Sequence, residues 1–465
     1  MPDATARDAA HLDQIVKAYD IRGVFPDQLD ASLAHDVGAA FVRLVRNGDG
    51  PAGTVVVGHD MRPSSGPLVD AFTAGATSQG ADVVQVGLVS TDALYFASGH
   101  LDAPGAMFTA SHNPARYNGI KLCRAGAAPV GLETGLADIR KLLLDGVPGY
   151  DGPAGTVSTR DVLQEYAAYL KSLVDLSGIR PLRVVVDAGN GMGGHTAPVV
   201  LADLPLTVVP LYFELDGTFP NHEANPIEPA NLRDLQKTVL AEAADLGLAF
   251  DGDADRCFVV DERGQIVTPS SLTALIAVRE LAREPGGTVI HNLITSRAVA
   301  EVVREHGGNP VRTRVGHSFI KQVMAHTGAV FGGEHSGHFY FRDFWRADSG
   351  MLAALHVLAA LGGTPEGTTL SSLLSAYDRY EVSGEINSTV QDPAGRMAAV
   401  QAAYADEPGV RLDHLDGLTV DAPDWWFNLR ASNTEPLLRL NVEATDQGSL
   451  AAVTDRVLGI VREGN

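Results

Sequence analysis

Cysteine is scarce: Cys123 and Cys257 are the only two in 465 residues. A framework of disulfides is therefore excluded, and a reducing cytoplasm is the simplest expected home. No stretch approaches the roughly 20 uninterrupted apolar residues that a membrane span needs. The first residues do not combine a basic start with a long apolar run, so no secretory leader is expected. Positive charge is also in short supply, with 35 Lys and Arg against 57 Asp and Glu and a formal net charge of −22. That balance argues against nucleic acid or an anionic membrane as a partner, and an anionic ligand must meet a locally basic pocket.

What the chain does have is 45% hydrophobic residues and 49 glycines, the composition of a globular, loop-rich α/β protein. Its length calls for about three or four domains. Three segments share one layout although their residues differ. The first contains "GTVVVGHD", an amphipathic stretch from about Pro67 to Gly80, "ADVVQVG", and later "GAMF" feeding "TASHNP". The second contains "LRVVVDAGNG", a weakly helical stretch, "LTVVPLYFE", and later "LGLAF" feeding "DGDADR". The third contains "GTVIHNL", "SRAVAEVVREHG", "PVRTRVG", and later "AVF" feeding "GGEHSGH". Each reads as strand, helix, strand, then a further strand ending in a polar loop.

Open α/β sheets bind ligands beyond the carboxyl ends of their strands, so the three loops are candidate walls of one site. From about Leu370 the pattern changes to an acidic helical start and then two strands flanking "RASNTEP", a smaller α+β domain. The expected division is residues 1–152, 153–260, 261–368 and 369–465, with turns near 150, 262 and 365 marking the boundaries.

In "FTASHNP" the Asn113-Pro114 step disfavours helix, so the segment reads as a tight exposed loop presenting Ser111 as a turn residue or a nucleophile. In "DGDADR", Asp251, Asp253 and Asp255 alternate; carboxylates that close require a cation or raised pKa values, and a hard divalent ion relieves the strain. The competing reading is a solvated acidic turn. An EF-hand is rejected because its sixth position, here Arg256, should be glycine, although Glu262 falls at the twelfth. A haloacid-dehalogenase-like aspartyl nucleophile also follows a strand, but it normally opens its core domain.

Gly189, Gly191 and Gly194 satisfy G-x-G-x-x-G, with Glu214 about twenty residues on, yet Asp187 would place negative charge beside a pyrophosphate. A tight turn is the better reading. In "GGEHSGH", Glu334 and Ser336 alternate with His335 and Gly337, so an extended loop would aim both oxygens one way, toward adjacent sugar hydroxyls. "RASNTEP" supplies Arg430 as a fork and Ser432, Asn433 and Thr434 as short donors, a phosphate cradle. "KAYDIRG" adds Tyr19 and Arg22; "RVGHSFIK" adds Arg314, Gly316, His317 and Lys321.

Together, "KAYDIRG", "TASHNP", "DGDADR", "GGEHSGH" and "RASNTEP", in this order from Lys17 to Pro436, resemble the α-D-phosphohexomutase superfamily, in particular its phosphomannomutase/phosphoglucomutase branch. The resemblance implies three related α/β domains and a distinct fourth around a central cleft. It implies that Ser111 carries a phosphoryl group and that Asp251, Asp253 and Asp255 hold Mg2+ with that phosphate, while Arg256 and Lys121 offset its charge. It further implies that phosphoserine donates to a hexose monophosphate, giving a hexose 1,6-bisphosphate that reorients and returns its other phosphate.

In that scheme Glu334 and Ser336 grip hydroxyls, with Gly316 and His338 beside them. Arg430, Ser432, Asn433 and Thr434 hold the phosphate that is not transferred. Tyr19 and Arg22 complete the cleft, and His317, Lys121 and His112 are the candidates for acid/base work. The partner is a small phosphosugar, and the protein is expected to be a monomer or weak homodimer. Three positions depart from the family: Ile294 where many relatives carry lysine, with Arg297 the nearest base; Val315 where threonine is common; and His335 at a position that varies with the sugar. The rival readings are a mutase for another phosphosugar, such as glucosamine phosphate, and a silent sugar-phosphate-binding protein.

Overall fold

A computed structural model describes residues 7–46, 53–431 and 437–463. The chain forms two compact units, Met1–Thr268 with Ser336–Leu373, and Pro269–His335 with Leu374–Asn465.

In the first unit, Thr54–His59 is the centre of a mixed sheet. It pairs in parallel with Asp82–Leu88 on one side and Gly105–Phe108 on the other, and Tyr117–Arg124 returns antiparallel along Gly105–Phe108. The "GAMF" strand is buried at every position, which is why it reads as an unbroken apolar run instead of an alternating one. Behind it lie helices Ala31–Val45 and Ser65–Ser78. Phe72 meets Phe108 edge to face with centroids 5.4 Å apart, a geometry worth about 0.5–1.5 kcal/mol beyond burial. The strand that leads into Ser111 is thus anchored at its last residue.

The second sheet repeats the plan. Leu182–Asp187 lies between parallel Leu206–Leu211 and Leu246–Phe250, and Cys257–Asp261 returns antiparallel. Gly191 and Gly194 are there for packing: a Cβ would come within 2.7 Å of Gly252 O and 2.2 Å of Phe213 O respectively. The G-x-G-x-x-G pattern is a close-packed turn into helix Gly193–Val200. The short hairpin Phe339–Phe341 with Ala347–Asp348 also belongs to this unit.

In the second unit, Thr288–Asn292 is flanked in parallel by Asn309–Thr313 and Phe331–Gly333. Leu374–Asn465 contributes an all-antiparallel five-stranded sheet, in the order Glu381–Thr389, Leu437–Ala444, Trp425–Ala431, Leu418–Asp421, Arg411–Asp413. Helices Pro393–Tyr404 and Gln447–Arg462 cover it around a core containing Tyr404, Phe427 and Val457. The expected α/β and α+β character is what the sheets display. Among the described residues, no helix is long and apolar enough to cross a membrane.

Candidate active site

The loop after Gly105–Phe108 carries Ser111 in the left-handed region, at φ 51°. For a non-glycine residue this costs roughly 1–2 kcal/mol, so surrounding bonds must hold it. Its N–H donates to Thr109 Oγ1 at 2.9 Å, and its carbonyl accepts from Arg62 Nη2 at 2.8 Å. The loop was expected to be exposed, but Ser111 is 2% exposed. Arg62 explains the difference: its guanidinium also donates to the carbonyls of Asn113, Pro114 and Tyr117, at 2.6, 2.9 and 3.0 Å. Four carbonyls converging on one buried cation fold the loop inward.

Ser111 Oγ donates to Asp251 Oδ2 at 2.7 Å. Asp251, Asp253 and Asp255 follow the buried strand Leu246–Phe250, are themselves buried, and bring carboxylate oxygens within 4.8 Å of one another. Burial, then repulsion from Asp255 and Asp253, pushes the Asp251 carboxyl well up. Burial disfavours the charged form of Asp255 as well, but Lys121, His338 and Arg256 outweigh it and hold that carboxyl well below its usual range. Lys121 Nζ sits 2.7 Å from both Asp253 Oδ2 and Asp255 Oδ2.

Asp253 Oδ1 and Asp255 Oδ1 are buried and, among the described residues, have no hydrogen-bond partner. Clustered carboxylate oxygens with unused lone pairs are the donor set of a hard divalent cation, so these residues fit a metal.

Other predicted residues converge on this centre. Arg256 Nη2 donates to His112 Nδ1 at 2.9 Å, and its Nε lies 3.4 Å from Asp251 Oδ2. Burial, then the Arg256 and Arg22 charges, pushes the His112 imidazole down to about 2. It is neutral at working pH, with Nδ1 occupied as an acceptor, which disfavours it as an acid. Arg22 grips Asp20 Oδ2 and donates to Asn113 Oδ1 at 2.7 Å, while Tyr19 is half-buried in the bend just before. His338 Nε2 lies 3.5 Å from Asp255 Oδ1, and its Nδ1 is 2.9 Å from Ser336 Oγ.

The "GGEHSGH" segment is a turn, not the extended loop expected, because Gly337 takes φ 83°. Ser336 is directed to His338. Glu334 instead accepts from the Gly316 N–H at 3.1 Å, within the second unit. There too, Arg430 stands opposite Arg439 across paired strands, and both guanidiniums reach Glu385, at 3.4 and 3.3 Å. His335 is neighbour to Glu385 and Arg430, and burial lowers its pKa.

Ser432, Asn433 and Thr434 lie outside the described residues, as does the side chain of His317, whose backbone opens the helix His317–Thr327. Ile294 is buried. Arg297 does not take a vacant base's place, since its guanidinium donates to Asp421, Ala422 O and Pro423 O.

Two supporting residues had no motif to announce them, Arg62 and Thr91, the latter donating to Asp253 Oδ2, while Thr109 lay within "TASHNP" without being singled out. Only the "GHDMRP" loop, at the end of a central strand, could have pointed to Arg62.

Models of the phosphoglucomutase/phosphomannomutase family match in order along the chain: alpha/beta/alpha domain I at residues 13–144, domain II at 164–264, domain III at 268–380 and the C-terminal domain at 385–460. A curated relative from Xanthomonas campestris pv. campestris, "Phosphohexose mutases", is 41% identical over 96% of this chain and 98% of its own. "Phosphomannomutase/phosphoglucomutase" of Pseudomonas aeruginosa is 37% identical over 94% of this chain and 93% of its own. The crystal structure of a phosphoglucomutase/phosphomannomutase family protein from Burkholderia thailandensis superposes with a TM-score of 0.87 at 35% identity, covering 97% of this chain and 98% of that one. The chain belongs to the phosphoglucomutase/phosphomannomutase family.

Proposed function

We propose that this protein is a phosphohexomutase that interconverts hexose 1-phosphate and hexose 6-phosphate, with mannose and glucose as its sugars and Ser111 as the phosphoryl carrier. The observation that carries the reading is Ser111 Oγ, 2.7 Å from Asp251 Oδ2 in a strained loop, beside two further buried aspartates and a lysine.

Phosphoryl transfer needs positioning and charge neutralisation more than covalent chemistry. Arg62 and Thr109 fix the Ser111 backbone, so the hydroxyl meets an incoming phosphate in one orientation. Arg256 and Lys121 bring positive charge to the phosphoserine, and Asp251, Asp253 and Asp255 would hold a divalent ion. That ion, Mg2+ in our reading, would supply Lewis-acid neutralisation of the transferring group.

Burial disfavours the Lys121 ammonium, but Asp253 and Asp255 outweigh it and hold its pKa well above the usual range, so in our reading Lys121 would act as an acid toward the sugar oxygen. Glu334, Gly316, Ser336 and His338 would hold the sugar, and Tyr19, Arg22, Arg430, Ser432, Asn433, Thr434 and His317 would receive the second phosphate and orient the ligand. Phosphoserine donates to the free hydroxyl, a hexose 1,6-bisphosphate forms and reorients, and its other phosphate returns to Ser111.

The test is conversion of mannose 1-phosphate and glucose 1-phosphate to their 6-phosphates, with Mg2+ and a trace of glucose 1,6-bisphosphate. Turnover of both, abolished in Ser111→Ala, is expected. Turnover of neither by folded, Ser111-phosphorylated protein would overturn the reading.

A further inference from the structure

Within the second unit, a cavity of 420 Å³ opens between helix Arg297–Glu305 with strand Asn309–Thr313 on one side and the edge of the antiparallel sheet on the other. Its volume lies in the roughly 300–1,000 Å³ range of small-molecule sites. Four arginines line it, Arg297, Arg304, Arg312 and Arg411, against two carboxylates, Glu301 and Asp421. In a chain of net charge −22, that is a local reversal of sign.

Three of these arginines, Arg297, Arg411 and Arg312, stand against carboxylates, which leaves Arg304 as the uncommitted one. Asp421 is shared, its Oδ1 at 3.0 Å from Arg297 and its Oδ2 at 2.6 Å from Arg411, and Arg297 Nε also lies 3.7 Å from Glu443 Oε1. Arg312 draws on Asp413 at 2.6 Å, a residue that is not part of the lining. Glu301 is committed to Arg379 at 3.3 Å and to the Tyr380 hydroxyl at 2.7 Å. Arg304, exposed on the helix one turn beyond Glu301, has no carboxylate partner among the described residues.

The walls are otherwise those of a binding site. His291 closes the base and is 6% exposed, with Nδ1 3.1 Å from Asn292 O. Burial, with Arg312 and Arg304 nearby, pushes its imidazole down to about 4, so it is neutral. Trp426 supplies an apolar side, held by its Nε1 donating to Glu443 at 2.6 Å.

We propose that this cavity is a second binding site, separate from the phosphoryl-transfer residues, for a small oxyanion of two or more negative charges, a phosphate ester or polycarboxylate. Guanidinium forks match such oxygens in bidentate fashion. Long polyanions are disfavoured by the acidic surface, whereas a small one needs only the local field. The arginines come from both the helix–strand layer and the antiparallel sheet, so a bound anion bridges the two layers and stabilises the folded protein by mass action.

Tungstate soaked into crystals locates the site directly by anomalous scattering, and calorimetry with pyrophosphate and with citrate distinguishes the two sources of charge. A tungstate peak in the cavity is expected, with pyrophosphate or citrate binding that Arg304→Glu weakens at least tenfold and Arg430→Ala leaves intact. Basal mutase turnover of Arg304→Glu should equal that of the unaltered enzyme. Absence of the peak, or equal pyrophosphate and citrate binding by Arg304→Glu and the unaltered protein, overturns the proposal. Loss in Arg430→Ala alone would assign the binding to the phosphate cradle.

Discussion

Thr91 reaches Asp253 twice: its hydroxyl donates to Oδ2 at 2.5 Å and its N–H to the backbone oxygen at 3.0 Å. Thr91 opens a helix capped by Ser90, whose hydroxyl accepts from Ala93 N–H. The same helix end is pinned by Asp92, which accepts from the hydroxyls of Tyr166 and Ser349. One carboxylate oxygen of Asp253 is thereby fixed, and the orphaned one is left for a cation. Thr91→Val keeps the shape and deletes only the hydroxyl. Groups of this kind behind a metal ligand typically contribute 10–100-fold in metal affinity or activity. The expected result is a loss in that range, in turnover and in apparent Mg2+ affinity measured by calorimetry, with Thr91→Ser restoring both.

Gly252 lies so close to the Ser111 loop that a Cβ there would stand 2.4 Å from Ser111 O. That oxygen is one of the four carbonyls on Arg62, so the loop has no room to yield. Gly252→Ala should displace Ser111 and lower kcat by about 100-fold, the scale on which a misplacement of about 1 Å acts. Gly66→Ala, with nothing within 4 Å of the added carbon, is the control and should leave kcat unchanged.

Lys121 places one ammonium between Asp253 and Asp255, with side-chain exposures of 15%, 0% and 1%. Lys121→Met leaves two buried carboxylates facing each other, a change that costs about 3–5 kcal/mol when a buried pair is broken. A cation at the same carboxylates would recover part of that through linkage. Thermal unfolding should show a lower Tm for the variant without metal and a larger Mg2+-induced rise than in the unaltered protein. Equal rises would mean that the lysine and the ion do not share these carboxylates.

The α/β units were legible because each places a buried apolar strand before a polar loop, and period and punctuation both survive in one sequence. The aspartates and Ser111 were legible for the same reason, as clustered chemistry on such loops. Arg62 and Thr91 were not, because each acts on a residue 49 or 162 positions away, and only tertiary packing supplies that neighbour. The burial of Ser111 was hidden likewise, since the cation that draws its loop inward belongs to another strand end. The "GGEHSGH" turn hinged on a positive φ at Gly337, which alternation of side chains could not reveal. Arg297 read as the nearest base to the position where Ile294 replaces a common lysine, whereas the antiparallel sheet claims its donors.

His291 gives a stability signal of predictable sign. Burial lowers its imidazole to about 4 in the folded protein, against about 6.5 in an unfolded chain. Between those values the unfolded state binds the proton and the folded state does not, so stability falls as pH drops from about 6.5 to about 4. The difference between those two values corresponds to about 3 kcal/mol. His291→Asn keeps a donor for Asn292 O and removes the titration. Urea denaturation at pH 7 and pH 4 should therefore show the variant losing about 3 kcal/mol less than the unaltered protein over that interval, the carboxylate contributions being common to both. Parallel losses would place the proton uptake elsewhere, and would mean that the imidazole charges readily within the arginine-lined cavity.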